Sequence, residues 1–340
     1  MCDESRGMLF HSGHFDSPPG GTHVLAKLVG EAPAFREAMR EVPIIARASE
    51  PVLILGETGT GKELVARALH DLSGRSQFPF VAFNCGAFTE TLLEDELFGH
   101  ERGAFTDAHA SRKGVLAQAE GGTVFLDEVD TLSARAQVDL LRAVQERRFR
   151  PLGGQRERPT DVRILAATNA PLERLVRSGR FRADLYYRLG VFSVSLPPLR
   201  ERKQDVLSLA CHFLKKHLAA DRGEKRLSTG ASAALVEYDW PGNVRELENA
   251  MIRAIRLCVS DTIEVSDLRL NACGVACRSV MPAEHAGSLN ARKKAVVERF
   301  EREYLLELLS EHDGNVSRAA RACGKERRAL GKLLKKHGLK

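Results

Sequence analysis

The residues of this chain best equipped for chemistry are a lysine behind closely spaced glycines and two adjacent acids closing an apolar run. The lysine is Lys62, in Gly56-Glu57-Thr58-Gly59-Thr60-Gly61-Lys62. An apolar run, Pro51 to Leu55, leads into it, and Glu63-Leu64-Val65-Ala66-Arg67-Ala68-Leu69 follows, so the stretch reads strand, glycine-rich turn, helix. The glycines let successive backbone N–H groups converge, the helix adds the positive end of its dipole, and Lys62 supplies a mobile cation. Such a nest holds nucleotide phosphates. The pattern G-x-x-x-x-G-K expects Ser or Thr next, with its hydroxyl on magnesium, but Glu63 stands there, so metal binding must lean on residues elsewhere. Read alone, such a turn can be mere punctuation between elements, and its surroundings decide.

The acids are Asp127-Glu128, behind Thr123-Val124-Phe125-Leu126. Two carboxylates at the end of an apolar strand are costly unless they face a cation, which near a triphosphate is Mg2+. Asp127 is assigned to the metal, through water, and Glu128 to orienting and polarising the attacking water. A plain helix cap is the structural alternative for Asp127. Thr168 and Asn169 close a third apolar run, where they either cap a turn or sense the γ-phosphate.

These groups need a scaffold. Val52 to Leu55, Phe80 to Phe83, Thr123 to Leu126, Val162 to Ala167 and Val191 to Val194 are short apolar runs separated by helix-length segments. That is the rhythm of an α/β fold with a five-stranded parallel sheet covered on both faces, whose ligands collect at the carboxyl ends of the strands. Asn84, Asp127-Glu128 and Thr168-Asn169 all fall at such ends. Ahead of the phosphate loop, apolar residues from Val24 to Ala46 suggest a short segment and one amphipathic helix, with Leu28-Val29-Gly30 as an adenine-side wall or simple core.

At 340 residues, with 43% hydrophobic and 28% charged residues, the chain is expected to be soluble and to hold two or three domains. No apolar run approaches membrane-spanning length and the first residues carry acid, so a cytoplasmic location is expected. Seven scattered cysteines do not form a disulfide framework. Cys273, Cys277 and His285 lack zinc-site spacing. Residues 1–22 read as a disordered leader, and no fused sensor domain is expected. The net charge of +6 is uneven, since residues 291–340 hold 14 Lys and Arg against 7 Asp and Glu. A basic terminal module points to nucleic acid, a solvated lysine-rich helix being the bland alternative.

Two interruptions fall within the sheet domain. One is Gly103-Ala104-Phe105-Thr106-Asp107-Ala108, where Phe105 has no periodic apolar partner and the loop tip displays it outward. The other, Phe149 to Gln155, reads as a hairpin-like excursion. Next come Arg182 and Arg188, either surface charge or groups placed to reach a neighbouring subunit's nucleotide. A helical lid follows, and within it Trp240-Pro241-Gly242-Asn243-Val244-Arg245-Glu246-Leu247 puts Arg245 in the first turn of a helix. A cation there gains nothing from the helix dipole, so a bound phosphate or a salt bridge to Glu246 or Glu248 must account for it. Residues 266–290 read as a linker. Apolar stripes at Val297, Phe300, Tyr304 and Leu308, at Val316, Ala319, Ala320 and Cys323, and at Ala329, Leu330, Leu333 and Leu334 suit a helix-turn-helix. Asn315 caps its second helix, and the third offers Lys325, Arg327, Arg328 and Lys332 to DNA.

Taken in this order the motifs resemble the bacterial sigma-54-dependent transcriptional activators, enhancer-binding AAA+ ATPases with a Fis-type helix-turn-helix, from about Val24 to Lys340. The phosphate loop of that family also carries glutamate after its lysine, as Gly56-Glu57-Thr58-Gly59-Thr60-Gly61-Lys62-Glu63 does. Phe125-Leu126-Asp127-Glu128 resembles its magnesium and water site, Asn84 its switch partner to the catalytic glutamate, Arg182 and Arg188 its intersubunit arginine fingers, and Arg245 its lid sensor. The loop at Phe105 and Thr106 resembles the G-A-F-T-G-A loop that touches the sigma-54 factor, with Asp107 in place of its second glycine.

The resemblance implies an AAA+ P-loop NTPase with an ATPase subdomain at 23–197, a lid at 198–265 and a DNA-binding domain at 291–340. It further implies ATP and Mg2+ as cofactors and a homo-oligomeric ring, expected to be a hexamer, that remodels sigma-54 RNA polymerase while bound to enhancer DNA. Control is expected through the protein's own expression or a separate regulatory protein. The alternative reading is a DNA-binding AAA+ regulator or repressor that Asp107 has uncoupled from sigma-54. An AAA+ chaperone or helicase loader is a further competitor.

Overall fold

The computed structural model describes residues 28–105, 108–218, 225–270 and, towards the C-terminus, 301, 305, 308, 312, 315–324 and 327–337. The leader 1–22, most of the linker, and Thr106, Asp107 and Lys325 lie outside the described residues. The chain divides into two compact units, Met1–Val275 and Ala276–Lys340, each described by itself.

All five anticipated strands form: β1 (Val52–Leu55), β2 (Phe80–Asn84), β3 (Thr123–Asp127), β4 (Arg163–Thr168) and β5 (Phe192–Ser195). Their order in the sheet is β2-β3-β4-β1-β5, and every pairing is parallel. Alternation along each strand divides the core into two layers. Leu53, Val124, Leu126, Ile164 and Ala166 pack on one face with Leu140 and Leu185. Val52, Ile54, Phe125, Leu165 and Ala167 pack on the other with Val65 and Leu69. Helices on both faces explain why these strands read as unbroken apolar runs.

Register places the polar residues. Asn84 lies opposite Asp127, and Leu55 opposite Thr168, so the ends of β2, β3, β4 and β1 bring Asn84, Asp127, Thr168 and Gly56 to one edge. The single amphipathic helix expected before β1 is instead two, Pro33–Met39 and Val42–Ala46, the second starting with proline near its first turn. Its end is capped by Arg163, whose guanidinium donates to the Ile45 and Ala46 carbonyls, both at 2.7 Å.

Both excursions are built as small antiparallel pairs. Gly99–His100 pairs with Arg112–Lys113 at the stems of the Phe105 loop, and Arg148–Phe149 pairs with Arg158–Pro159. The lid comprises Asp205–His217, Thr229–Glu237, Asn243–Leu257 and Val265–Leu268 around Trp240, Leu247, Met251 and Leu268, all fully buried. In the second unit, Leu305, Leu308, Ala319, Ala320, Leu330 and Leu334 form a separate core. There Val316–Ala322 and Arg327–Lys336 are the two described helices, with Gly324 at φ +65° in the turn between them. Ala329, expected in the apolar stripe, is exposed. Among the described residues no helix is long and apolar enough to cross a membrane.

Candidate nucleotide site, loop tip and DNA face

The phosphate loop leaves β1 through Gly56 and bends at Gly59 (φ +80°) and Gly61 (φ +104°), backbone values that L side chains rarely adopt. The helix Lys62–Asp71 begins directly after. Lys62 is buried, and its ammonium donates to the Gly56 and Glu57 carbonyls at 2.9 and 3.3 Å. Burial pulls its pKa down, while the charges of Asp127 and Glu128 pull it up. Thr60 is buried and its hydroxyl donates to the Glu57 carbonyl, which fixes the loop from within. Glu63 turns outward, its carboxylate paired with Arg67 at 2.9 Å, so only its backbone belongs to the cradle.

Opposite Lys62 stand the acids. Asp127 accepts the backbone N–H of Glu128 at 3.0 Å. Glu128 adopts φ +56°, unusual for a residue with a side chain, and its carboxylate lies over Gly86, where a Cβ would overlap it. Asn84 packs over the same glycine and accepts the Gly86 N–H at 2.7 Å. Glu128 and Asn84, expected from the sequence to be the hydrolytic glutamate and its switch partner, are thus neighbours above one small residue. Asn169 reaches the loop, donating from Nδ2 to the Thr58 hydroxyl at 2.9 Å. Beside it Thr168 is fully buried, and its hydroxyl donates to Asp130.

The lid is fastened to the loop. Asn243, fully buried and at φ +54°, donates from Nδ2 to the Thr58 carbonyl and to Glu57 Oε2, both at 3.1 Å, and accepts the Leu199 N–H at 2.8 Å. A Cβ on Gly59 would overlap the Gly242 carbonyl oxygen, and the Arg245 N–H donates to the Gly59 carbonyl at 3.3 Å. Arg245 therefore projects from the helix end that touches the phosphate loop. Glu246 is engaged by Gly242 and Tyr238, and Glu248 by Lys216 and His217, so neither carboxylate takes Arg245.

The two candidate finger arginines sit differently. Arg182 is held by its neighbour Asp184 through two bonds of 3.0 and 2.8 Å. Arg188 lines a cavity of about 220 Å³ with Pro51, Val162, Val191 and Arg147, at the amino ends of the strands. That is the opposite end of the sheet from this protomer's own phosphate loop, so it cannot serve that loop.

Phe105 is 47% exposed at the loop tip, as its lack of apolar partners implied. In the second unit, Asn315 accepts the N–H groups of Ser317 and Arg318, the anticipated cap. Arg327, Arg328 and Lys332 are exposed on Arg327–Lys336, clear of the buried Leu330 and Leu334.

Arg200, Arg202, Asp205 and Asp130 also shape the site, though no motif singles them out. Arg200 pairs with Glu57, and Arg202 donates to the Thr60 carbonyl at 3.0 Å. Asp205 accepts the Glu31 and Ala32 N–H groups at 2.6 and 2.8 Å, holding the segment after Leu28-Val29-Gly30. The charges in Leu199-Arg200-Glu201-Arg202 were the available signal, since three charges behind a Pro-Pro corner next to a nucleotide fold have to be paired with something.

The donor set suits a hydrated divalent cation held mainly by phosphates. The charges of Asp127, Glu128 and Asp130 all act on Lys62, and among the described residues no group of three or more metal-type side chains forms a self-sufficient cage.

Comparison with known proteins gives a consistent pattern. Residues 28–195 match the model of the sigma-54 interaction domain, 200–274 that of the AAA+ ATPase lid domain, and 296–337 that of bacterial regulatory proteins of the Fis family. The sigma-54-dependent transcriptional activator SfnR of Pseudomonas putida is 48% identical over 271 residues, which are 78% of this chain and 74% of that protein. The response regulator protein PilR of Pseudomonas aeruginosa is 45% identical over 318 residues, 92% of this chain and 70% of its own. Among solved structures, NtrX from Brucella abortus superimposes with a TM-score of 0.69 at 34% identity, covering 93% of this chain and 70% of that one. The same protein in complex with ATP gives 0.68 at 32% identity, with 92% and 69% covered.

Proposed function

The chain belongs to the sigma-54-dependent transcriptional activators, and from that premise we propose how its residues divide the work. It is an AAA+ ATPase joined to a Fis-type DNA-binding domain, and it activates transcription through sigma-54. ATP lies with its phosphates on Gly56 to Lys62. Lys62 leaves the loop carbonyls for the phosphate oxygens, and Arg245 reaches them from the lid. Glu128 accepts a proton from the attacking water and orients it, with Asn84 beside it as switch and Asn169 as sensor. Asp127 would hold Mg2+, which when bound would neutralise phosphate charge.

Arg188 completes the pocket of a neighbouring protomer, with Arg182 as the second finger once it leaves Asp184. The assembly is a ring, a hexamer in this reading, working in the cytoplasm under control through the protein's own expression or a separate regulatory protein. Phe105, with Thr106, contacts sigma-54, and Lys325, Arg327, Arg328 and Lys332 hold DNA.

The observation that carries this reading is the split of the catalytic groups, with Lys62, Asp127 and Glu128 at one end of the sheet and Arg188 at the other. The test is purified protein, ATP and a pre-formed closed complex of sigma-54 RNA polymerase on its promoter. Open complexes that depend on ATP hydrolysis are expected. Hydrolysis without opening would instead favour the regulator uncoupled at Asp107.

A further inference from the structure

Helix Glu90–Phe98 buries two adjacent acids, Glu94 and Asp95, at 6% and 8% exposure. Such groups are costly unless partnered, and these two have partners in different segments of the chain. Glu94 points towards the segment that carries the catalytic glutamate. Ser133 Oγ donates to its Oε1 at 3.2 Å, and Arg135 Nε lies 3.5 Å from its Oε2. Ser133 caps the helix Ala134–Glu146, accepting the Ala136 N–H, and follows the tight turn Val129–Thr131 whose Thr131 hydroxyl donates to the Glu128 carbonyl at 2.8 Å.

Asp95 points towards the loop. Its Oδ1 lies 2.6 Å from His100 Nδ1, and the other ring nitrogen, Nε2, lies 2.9 Å from the Ala110 carbonyl. With both nitrogens engaged the imidazole cannot turn, and it ties the entering stem of the loop to the leaving one. This fixed ring meets that of Phe105 in an edge-to-face pair, with centroids 4.9 Å apart at 64°. The Phe105 ring thus rests on a side chain whose orientation is set by the same helix that Ser133 grips.

We propose that His100 is a positioning residue for Phe105, and that Glu94 and Asp95 make helix Glu90–Phe98 the rigid link between Glu128 and the loop tip. This rests on the reading of Glu128 as the hydrolytic group and Phe105 as the contact to sigma-54. A displacement of the turn after Glu128 moves Ser133, hence Glu94, hence the helix. Because His100 is pinned to Asp95 at the end of that helix, Phe105 moves with it instead of being left behind by a slack loop.

The test uses the full chain carrying His100→Asn, Glu94→Gln, or both. An asparagine can satisfy one of the two acceptors of His100 but not both. His100→Asn is expected to leave ATP turnover within about twofold and to lower open complexes formed per ATP about tenfold. It is also expected to speed amide hydrogen exchange at Gly103 and Ala108, whose N–H groups bond within the loop to the Ala108 and Phe105 carbonyls. Glu94→Gln is expected to lower opening per ATP while leaving exchange in the loop unchanged. The double variant should lose no more than the worse single one.

Unchanged exchange at Gly103 and Ala108 in His100→Asn would overturn the positioning role, and losses that multiply in the double variant would overturn the link. Retained ATP turnover reports that each variant is folded. If the parent chain hydrolyses ATP but opens no promoter, the functional reading fails, while the exchange measurement still decides the role of His100.

Discussion

Arg200 grips Glu57 with both arms of its guanidinium, Nη2 at 2.7 Å from one carboxylate oxygen and Nη1 at 2.9 Å from the other. The second residue of the phosphate loop is thereby bound to the first turn of the lid segment, and Asn243 adds a third bond to the same carboxylate. Nucleotide contacts on the loop are therefore felt by the lid through named side chains.

These bonds from Arg200, opposed by burial and aided by Asn243, hold the Glu57 carboxyl below the usual glutamate range. A lowered carboxyl pKa stabilises the fold at pH values above the ordinary range, and the contribution is lost as pH falls through the lowered value. Both side chains are more than 40% exposed, so the parent chain should exceed Glu57→Gln by only about 0.5–1 kcal/mol at neutral pH. Urea unfolding of the two proteins across pH should show that difference vanishing in acid.

Gly59→Ala should be far more damaging than its size suggests. The added methyl meets the Gly242 carbonyl oxygen, and the backbone must still hold φ +80°. A loss of about 2 kcal/mol or more in stability is expected, with weakened ATP binding, measured by thermal unfolding with and without nucleotide.

Glu128→Gln keeps the shape of the side chain over Gly86 but removes its basicity. Turnover should fall by about two orders of magnitude or more with ATP affinity retained, which equilibrium binding and steady-state hydrolysis together will show.

A pocket shared between protomers predicts complementation. Arg188→Ala alone should bind ATP and hydrolyse it poorly, as should Glu128→Gln. Mixed together, they should regain part of the parent turnover, because some interfaces unite an intact Glu128 with an intact Arg188. A mixture no more active than its components would assign both groups to one protomer's site.

In the C-terminal unit, changing Arg327 and Arg328 together to Ala removes two exposed cations and no core contact. DNA affinity should drop for all sequences, and the slope of log affinity against log salt should shrink by about 2, read by titration at several salt concentrations.

Much of this architecture was legible because it rests on local rules. Unbroken apolar runs marked the strands, their carboxyl ends marked Asn84, Asp127 and Thr168, and glycine spacing marked the loop around Lys62. What stayed hidden depends on residues far apart in sequence. Nothing near Arg200 announces a carboxylate more than a hundred positions earlier, and His100 reads as a loop residue until Asp95 and Ala110 are seen on either side of it. Glu63 shows the converse. Its place after Lys62 suggested the site, but a helix sets successive side chains about 100° apart, and this one emerges on the outer face beside Arg67.

Trp240 is the only tryptophan of the chain. It is fully buried at φ +51°, with its indole N–H donating to the Leu235 carbonyl at 2.8 Å and its ring against Tyr238. Three residues on, Asn243 touches the phosphate loop. The native protein thus carries an intrinsic fluorophore at the corner where lid meets nucleotide cradle, and its ultraviolet emission follows that corner with no dye attached.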